Sequence, residues 1–399
     1  MRDWQRIHSE ATIVDLHTHP TLKISLFKRN LAKRFRQGLK GFWPMSTRSG
    51  FQMLEQGEYD VTLSTVYMPE AGMLKDLPII HLLRFLRPRS WYRTFGKKSY
   101  FKGAVWCMDE IEEQAKQYKG KRPVVVSRSP AELQTDLLNN AICVVHSIEG
   151  AHNLQDKCGK IPGEITPEVE TEVLANLEYM AKRGVAYLRL SHLYENYCSP
   201  SVFPYPDYAL KLSKWRNLVQ RWDENKGLTP LGEKVVLRAR ELGMLIDVTH
   251  ATQMARKQVY DMCQSGIIAS HVGGHAINSS TYNLEDWEIA TIARNGGVVG
   301  VIPMTYWLLG YGKGLGLDAM SQTIRHIISV GGNECVGIGT DLDGLTDPID
   351  EITDASGLSQ LTRRLCAETF ARGTRYTDET IRKILGGNAL RVLTEQWKA

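Results

Sequence analysis

Short apolar, β-branched runs recur along the chain, and most of them end in a side chain that can bind a metal or move a proton. Thr12 to Leu16 leads to His17 and His19, Ala141 to Val145 to Glu149, and Ala186 to Leu190 to His192. Leu245 to Val248 leads to His250, Ile267 to Ala269 to His271, and Val336 to Ile338 to Asp341. Runs of this length without polar alternation suit strands buried on both faces, as in a parallel sheet covered by helices. A polar group at the end of each places the chemistry at one mouth of a barrel. Tyr59 to Tyr67 and Gly297 to Met304 carry no such group but bring the count to eight, the number that closes a (β/α)8 TIM-type barrel.

The stretches between the runs have helical period. Ile165 to Arg183 opens at Thr166-Pro167, carries Val169, Val173, Leu174, Leu177 and Met180 three and four apart, and stops at Gly184. A second helix opens at Thr229-Pro230 and runs to Gly243, and a third spans Ala251 to Cys263. Beyond Asp341, Ala355 to Arg372 and Thr377 to Trp397 read as extra C-terminal helices closing the outer layer. No linker interrupts the series, so residues 1–399 are expected to form a single (β/α)8 domain with a long excursion at about 21–123. Within that excursion, Leu82 to Lys102 is basic and aromatic and reads as a solvated face rather than a membrane-surface element.

Composition narrows the function classes. Hydrophobic residues at 43% and charged residues at 23% are ordinary for a globular protein, and a net charge of +5 over 399 residues gives no case for a nucleic-acid partner. The seven cysteines are scattered without a CxxC pair and read as isolated thiols of a reducing compartment. No apolar run approaches the ~18 residues of a membrane span, and the first ten residues lack a signal-type core, so a cytoplasmic location is expected, with a removed secretory leader as the alternative.

His17 and His19, two apart on a strand, should share a face. A lone HxH is a weak signal. Glu149, His250 and His271 make it strong, because a carboxylate at the end of a buried strand needs cationic partners, and a set of two His, one Glu and two His suits a pair of divalent ions. At this point the chain resembles the membrane (renal) dipeptidases, zinc peptidases of the amidohydrolase superfamily. The matching segments are TIVDLHTHP, HSIEGAH, YLRLSH, LTPLGEKVVLRARELGMLIDVTH, IIASH, VGIGTDLDG and LGGNALRVL. The resemblance implies two zinc ions, with His17 and His19 on one, His250 and His271 on the other, and Glu149 between them. It also implies that His192 stabilises the oxyanion of the substrate carbonyl and that Asp341 moves the proton of a bridging water to the leaving amine. His152 matches a family position near the substrate; His146 and His275 are expected at the rim, Asp247 as an orienting partner and Asp343 in a loop hydrogen bond.

Two positions depart from the family pattern. The first strand carries His17-Thr18-His19 where an HxD is usual, which replaces an anionic ligand by a neutral one. Tyr282-Asn283 stands where the family has an arginine followed by Asn, so the group expected to meet a substrate carboxylate is a single hydroxyl rather than a charged fork. The leading expectation is a binuclear zinc dipeptidase acting on a small-molecule substrate, with a homodimer left open. The alternatives are an amidohydrolase for an ester, lactone or cyclic amide without a free carboxylate, and a barrel that binds without catalysis.

Overall fold

The computed structural model describes residues 3–33, 46–70, 72, 99–156, 165–203, 222–309, 316–344, 346–370 and 373–398. Residues 82–98 of the basic aromatic segment and Cys158 lie outside them. Nine strands are present: β1 Val14–Thr18, β2 Val61–Val66, β3 Val124–Val126, β4 Ile142–Glu149, β5 Val185–Arg189, β6 Leu245–Asp247, β7 Ile267–Val272, β8 Val298–Val301 and β9 Val336–Ile338. All pairings are parallel, β9 returns to β1, and β2 pairs with β4, so eight strands close a barrel in the order β1-β2-β4-β5-β6-β7-β8-β9. The eight apolar runs are those eight strands.

β3 is the element the hydrophobic pattern did not reveal. It pairs with Ile142 to Val144, at the start of β4, while β5 pairs with the end of the same strand, from His146 to Glu149. Three residues that pair only with Ile142 to Val144 add nothing to the closure, and Val124 to Val126 leads to no metal-binding or proton-moving side chain, the mark by which the equally short run Val336 to Ile338 is recognised.

Helices cover the barrel as the periodicity predicts. Pro167–Lys182, Pro230–Glu241 and Gln253–Met262 start at Thr166, Thr229 and Thr252, whose hydroxyls accept from backbone amides of the first turn. The turns back into strands use left-handed glycines: Gly184 has φ 79° and precedes β5, and Gly243 has φ 81° and precedes β6. The two C-terminal helical patterns are each broken. Ala355 to Arg372 contains a 3-10 turn, Ala355–Gly357, and a helix, Ser359–Ala367. Thr377 to Trp397 contains Asp378–Arg382, a π-turn at Lys383–Gly387 and Asn388–Glu395. At Gly386 a Cβ would stand 2.1 Å from the Thr12 carbonyl oxygen, so the turn packs against the start of β1 with no room for a side chain.

Two buried clusters result. The larger lies between strands and helices. The smaller joins strand beginnings, Val14, Val61, Leu245 and Val298 among them, to Ala389, Val392, Leu393 and Trp397. The C-terminal segment therefore plugs the N-terminal mouth, where Lys398 donates its amide to the Gly243 carbonyl and Gln396 accepts from the Gly266 amide. The six described cysteines are all buried.

Candidate metal centre

At the opposite mouth the candidate ligands meet. His17 lies within β1 and Glu149 ends β4; His250 stands three residues beyond β6, His271 lies within β7, and Asp341 stands three residues beyond β9. The His17 and His19 Nε2 atoms are 3.0 Å apart, and His19 Nε2 is 2.8 Å from Glu149 Oε2 and 3.1 Å from Asp341 Oδ1. His17 and His250 Nε2 are 3.5 and 3.8 Å from Glu149 Oε1. The His17 and His271 rings stack at 3.9 Å. Three overlapping groups of ligand atoms fall within metal-binding reach of one another: His17, His19, Glu149; Glu149, His250, His271; and His17, His271, Asp341. Glu149 is common to the first two.

His17 and His19 converge by another route than simple alternation. The register of β1 against β2 shifts between Asp15 and Thr18, and His19 is the N-cap of the helix Pro20–Phe27. A bulge and a helix start, rather than a shared pleat face, aim the two rings at one point. Asp15, on β1, ties this turn to the last strand: its carboxylate accepts from the Thr340 amide at 2.9 Å, the Thr340 hydroxyl at 2.6 Å and the His17 amide at 3.1 Å. Burial pushes the Asp15 carboxyl up to about 7 against those hydrogen bonds.

The donor set fits cations. Burial first, then neighbouring imidazoles and Arg189, holds His17, His250 and His271 well below the usual imidazole range, so they are neutral nitrogen donors. Glu149 Oε2 and Asp341 Oδ1 are buried without a hydrogen-bond partner; Glu149 Oε2 is close to His19 Nε2 but not in hydrogen-bonding orientation. Buried carboxylate oxygens left in this state, facing imidazole nitrogens, suit divalent ions. His250 and Asp341 also have left-handed backbones, φ 65° and 53°, each costing on the order of 1–3 kcal/mol that the surroundings must hold in place.

Arg189, which the sequence reading did not single out, lies under this centre. Fully buried at the end of β5, its guanidinium contacts Glu149, donates through Nε to Asp247 at 2.8 Å, and approaches His17 Nδ1 at 3.1 Å and His271 Nδ1 at 3.2 Å. Asp247 in turn accepts from Thr249 and the Ser270 amide. An arginine inside an otherwise apolar run is the signal that could have found it, since a buried guanidinium requires counter-charges nearby. Tyr187, two residues earlier, places its hydroxyl 2.8 Å from His17 Nδ1.

His192, three residues beyond β5, turns Nε2 to within 3.6 Å of Glu149 Oε1. Its Nδ1 faces Glu70 Oε2 at 3.2 Å, a second residue missed in the sequence. His152 is buried beside it, with Nε2 donating to the Met68 carbonyl at 2.8 Å. Tyr282 is buried, donates its hydroxyl to the His271 carbonyl at 2.7 Å, stacks on Trp307 at 4.2 Å and meets the His250 ring edge-on at 5.0 Å. Asn283 accepts from the Gly273 amide and donates to the Asn278 and Trp307 carbonyls. The other residues weighed earlier lie apart: Asp343 binds the Arg48 and Ser49 amides, His275 pairs with Glu285 at 3.1 Å, and His146 lies 3.8 Å from Glu112.

Among solved structures, a metallo peptidase from Rhodobacter sphaeroides, liganded with a phosphinate mimic of the dipeptide L-Ala-D-Ala, superposes with a TM-score of 0.72 at 19% identity, covering 97% of this chain and 99% of that one. The probable dipeptidase PvdM from Pseudomonas aeruginosa gives 0.67 at 18% identity, covering 99% and 97%. These share the fold. In sequence, an uncharacterized protein of the pqqA 5' region of Klebsiella pneumoniae is 32% identical over 44% of this chain and 64% of its own length. Dipeptidase 3 of Mus musculus is 29% identical over 63% of this chain and 47% of its own. The chain thus spans less than two thirds of the length of these curated relatives. The family profile described as "Membrane dipeptidase (Peptidase family M19)" matches residues 1–399, and the chain belongs to that family.

Proposed function

We propose that the protein is a binuclear zinc dipeptidase, cleaving the amide bond of dipeptides or similar small amides. The observation that carries the reading is the convergence of His17, His19, Glu149, His250 and His271 around shared ligand positions, with Asp341 beside them. Two zinc ions held by that set would lower the pKa of a water and polarise the substrate carbonyl. Asp341, with one buried oxygen left unpaired, takes the proton of the attacking water and returns it to the leaving amine. His192 donates through Nε2 to the carbonyl oxygen as negative charge develops there. Arg189 balances the charge of Glu149 and Asp247 from below and keeps both carboxylates oriented.

One observation favours a second reading, an amidohydrolase acting on a substrate without a free carboxylate. The Tyr282 hydroxyl is committed to the His271 carbonyl and its ring to Trp307, so this position offers no charged group to a substrate terminus. Zinc-loaded protein assayed on dipeptides and on their C-terminally amidated forms separates the two. The dipeptidase reading expects amidation to reduce kcat/KM by at least tenfold, the loss of one charge-assisted contact. Equal or better turnover of the amidated substrates supports the second reading, and no turnover of either defeats the first.

A further inference from the structure

We propose that Asp343 is a positioning residue for Asp341: its carboxylate, enclosed by donors from two other segments, fixes the turn that holds the Asp341 side chain beside His19. The inference rests on the reading of Asp341 as the group that moves the proton.

The turn after β9 does not hold itself. Asp341 has φ 53° and Asp343 has φ 72°, so two residues with side chains lie in the left-handed region within three positions. Such a backbone persists only where its surroundings over-determine it. Asp341 Oδ1 has no hydrogen-bond partner, so the backbone on either side has to aim this carboxylate. On one side the Asp15 carboxylate holds Thr340 through its amide and hydroxyl. In the middle, the Leu342 carbonyl accepts from the His19 amide at 2.8 Å. On the other side the anchor is Asp343.

Asp343 is 3% exposed, and among the described residues every polar group that meets its carboxylate is a donor. Oδ1 accepts from the Arg48 amide at 2.9 Å and lies 3.6 Å from Lys23 Nζ. Oδ2 accepts from the Ser49 amide at 2.8 Å and the Ser49 hydroxyl at 2.6 Å. Lys23 stands on the helix Pro20–Phe27, whose N-cap is His19. Residues 48 and 49 are held from behind, by the Ala355 amide on the Arg48 carbonyl at 2.9 Å and by Arg48 Nη1 on the Thr353 carbonyl at 3.1 Å. The carboxylate thus ties the turn of Asp341 to the helix that begins at His19, and His19 Nε2 and Asp341 Oδ1 end 3.1 Å apart.

An ordinary buried ion pair would stabilise the fold and do no more. The donors offer a way to separate the two roles. A carboxylate has two accepting oxygens, whereas the amide of Asn has one. In Asp343→Asn the NH2 group must face either the Ser49 amide or the Arg48 amide and Lys23, all of which donate. Asn nonetheless keeps the size of Asp and its tolerance of a left-handed backbone. The substitution therefore loosens the clamp while leaving the local preference of the chain intact.

The test uses zinc-loaded full-length protein with Asp343→Asn, Asp343→Ala and Asp341→Asn, and with each Asp343 change combined with Asp341→Asn. A proton carrier displaced by about 1 Å should lower kcat by roughly 10-fold in Asp343→Asn and roughly 100-fold in Asp343→Ala, with KM within about twofold and zinc content unchanged. On the Asp341→Asn background either change should cost no more than about twofold, because a residue acting through Asp341 has nothing left to position. Wild-type kcat in Asp343→Asn, or a full further loss on the Asp341→Asn background, overturns the proposal while the reading of Asp341 stands. Unaltered kcat in Asp341→Asn defeats that reading and the proposal with it. If Asp343→Ala does not fold, Asp343→Asn decides. A second readout is independent of turnover: crystals of zinc-loaded Asp343→Asn should show the Asp341 carboxylate moved by about 1 Å or more from its place beside His19, with the His17 and His19 rings unmoved. An Asp341 carboxylate in its wild-type place overturns the proposal whatever substrate the enzyme takes.

Discussion

Asp341 shows at the scale of one residue how the site is assembled. Its backbone is left-handed, its Oδ1 is buried and unpaired, and Gly344 follows so closely that a Cβ there would stand 2.2 Å from that oxygen. Asp341→Asn keeps the shape but removes the proton acceptor. We expect kcat to fall by about 10²- to 10⁴-fold with zinc content unchanged, as measured by steady-state kinetics beside plasma emission; unaltered kcat would show that another group carries the proton. Gly344→Ala should lower activity by displacing that carboxylate, and a variant with wild-type kcat would show that the contact can give way. Arg189 is the other decisive residue. Arg189→Met leaves Glu149 and Asp247 buried without their counter-charge, and unfolding by urea should show a loss of about 3–5 kcal/mol; a loss under 1 kcal/mol would mean that the acids find other partners.

At the scale of elements, the strands were legible because a parallel barrel buries both faces of each strand and places its polar group at the C-terminal end, so that apolar run and polar terminus appear side by side in the sequence. His250 after LIDV and His271 after IIAS carry both signals at once. Glu70 and Arg189 were not legible for a different reason. Their meaning depends on partners far away in sequence, Glu70 on His192 and Arg189 on Glu149 and Asp247, and no local period encodes such a contact. β3 was missed because its three apolar residues lead to no ligand-type side chain, whereas the equally short β9 leads to Asp341. The plug at the other mouth gives a prediction at this scale. Trp397 is 1% exposed among strand beginnings, so Trp397→Ala should destabilise by about 3–5 kcal/mol. Because it lies at the mouth opposite the ligands, kcat at 25 °C should stay within about twofold; a large fall in kcat at unchanged stability would contradict the division of the barrel into a stabilising and a reacting end.

The whole molecule couples ionisation to folding. His146 is fully buried with neither ring nitrogen hydrogen-bonded, and burial lowers its pKa to about 4 although Glu112 opposes the shift. The unfolded chain takes up this proton near pH 6.5 and the native one does not until about 4, so stability is intact above 6.5 and declines as the pH falls through that window, by at most about 1.4 kcal/mol per unit. Unfolding free energies between pH 4 and 7 should therefore slope less steeply in His146→Leu than in wild type, and equal slopes would place the acid sensitivity elsewhere. Among the described residues no helix is long and apolar enough to cross a membrane.

The measurement that bears most directly on the account is an anomalous difference map at the zinc edge from crystals of the zinc-loaded protein. It should show two peaks, one bounded by His17 and His19 and the other by His250 and His271, with Glu149 touching both. A single peak, a pair that leaves Glu149 uncoordinated, or no peak in that mouth of the barrel would contradict it.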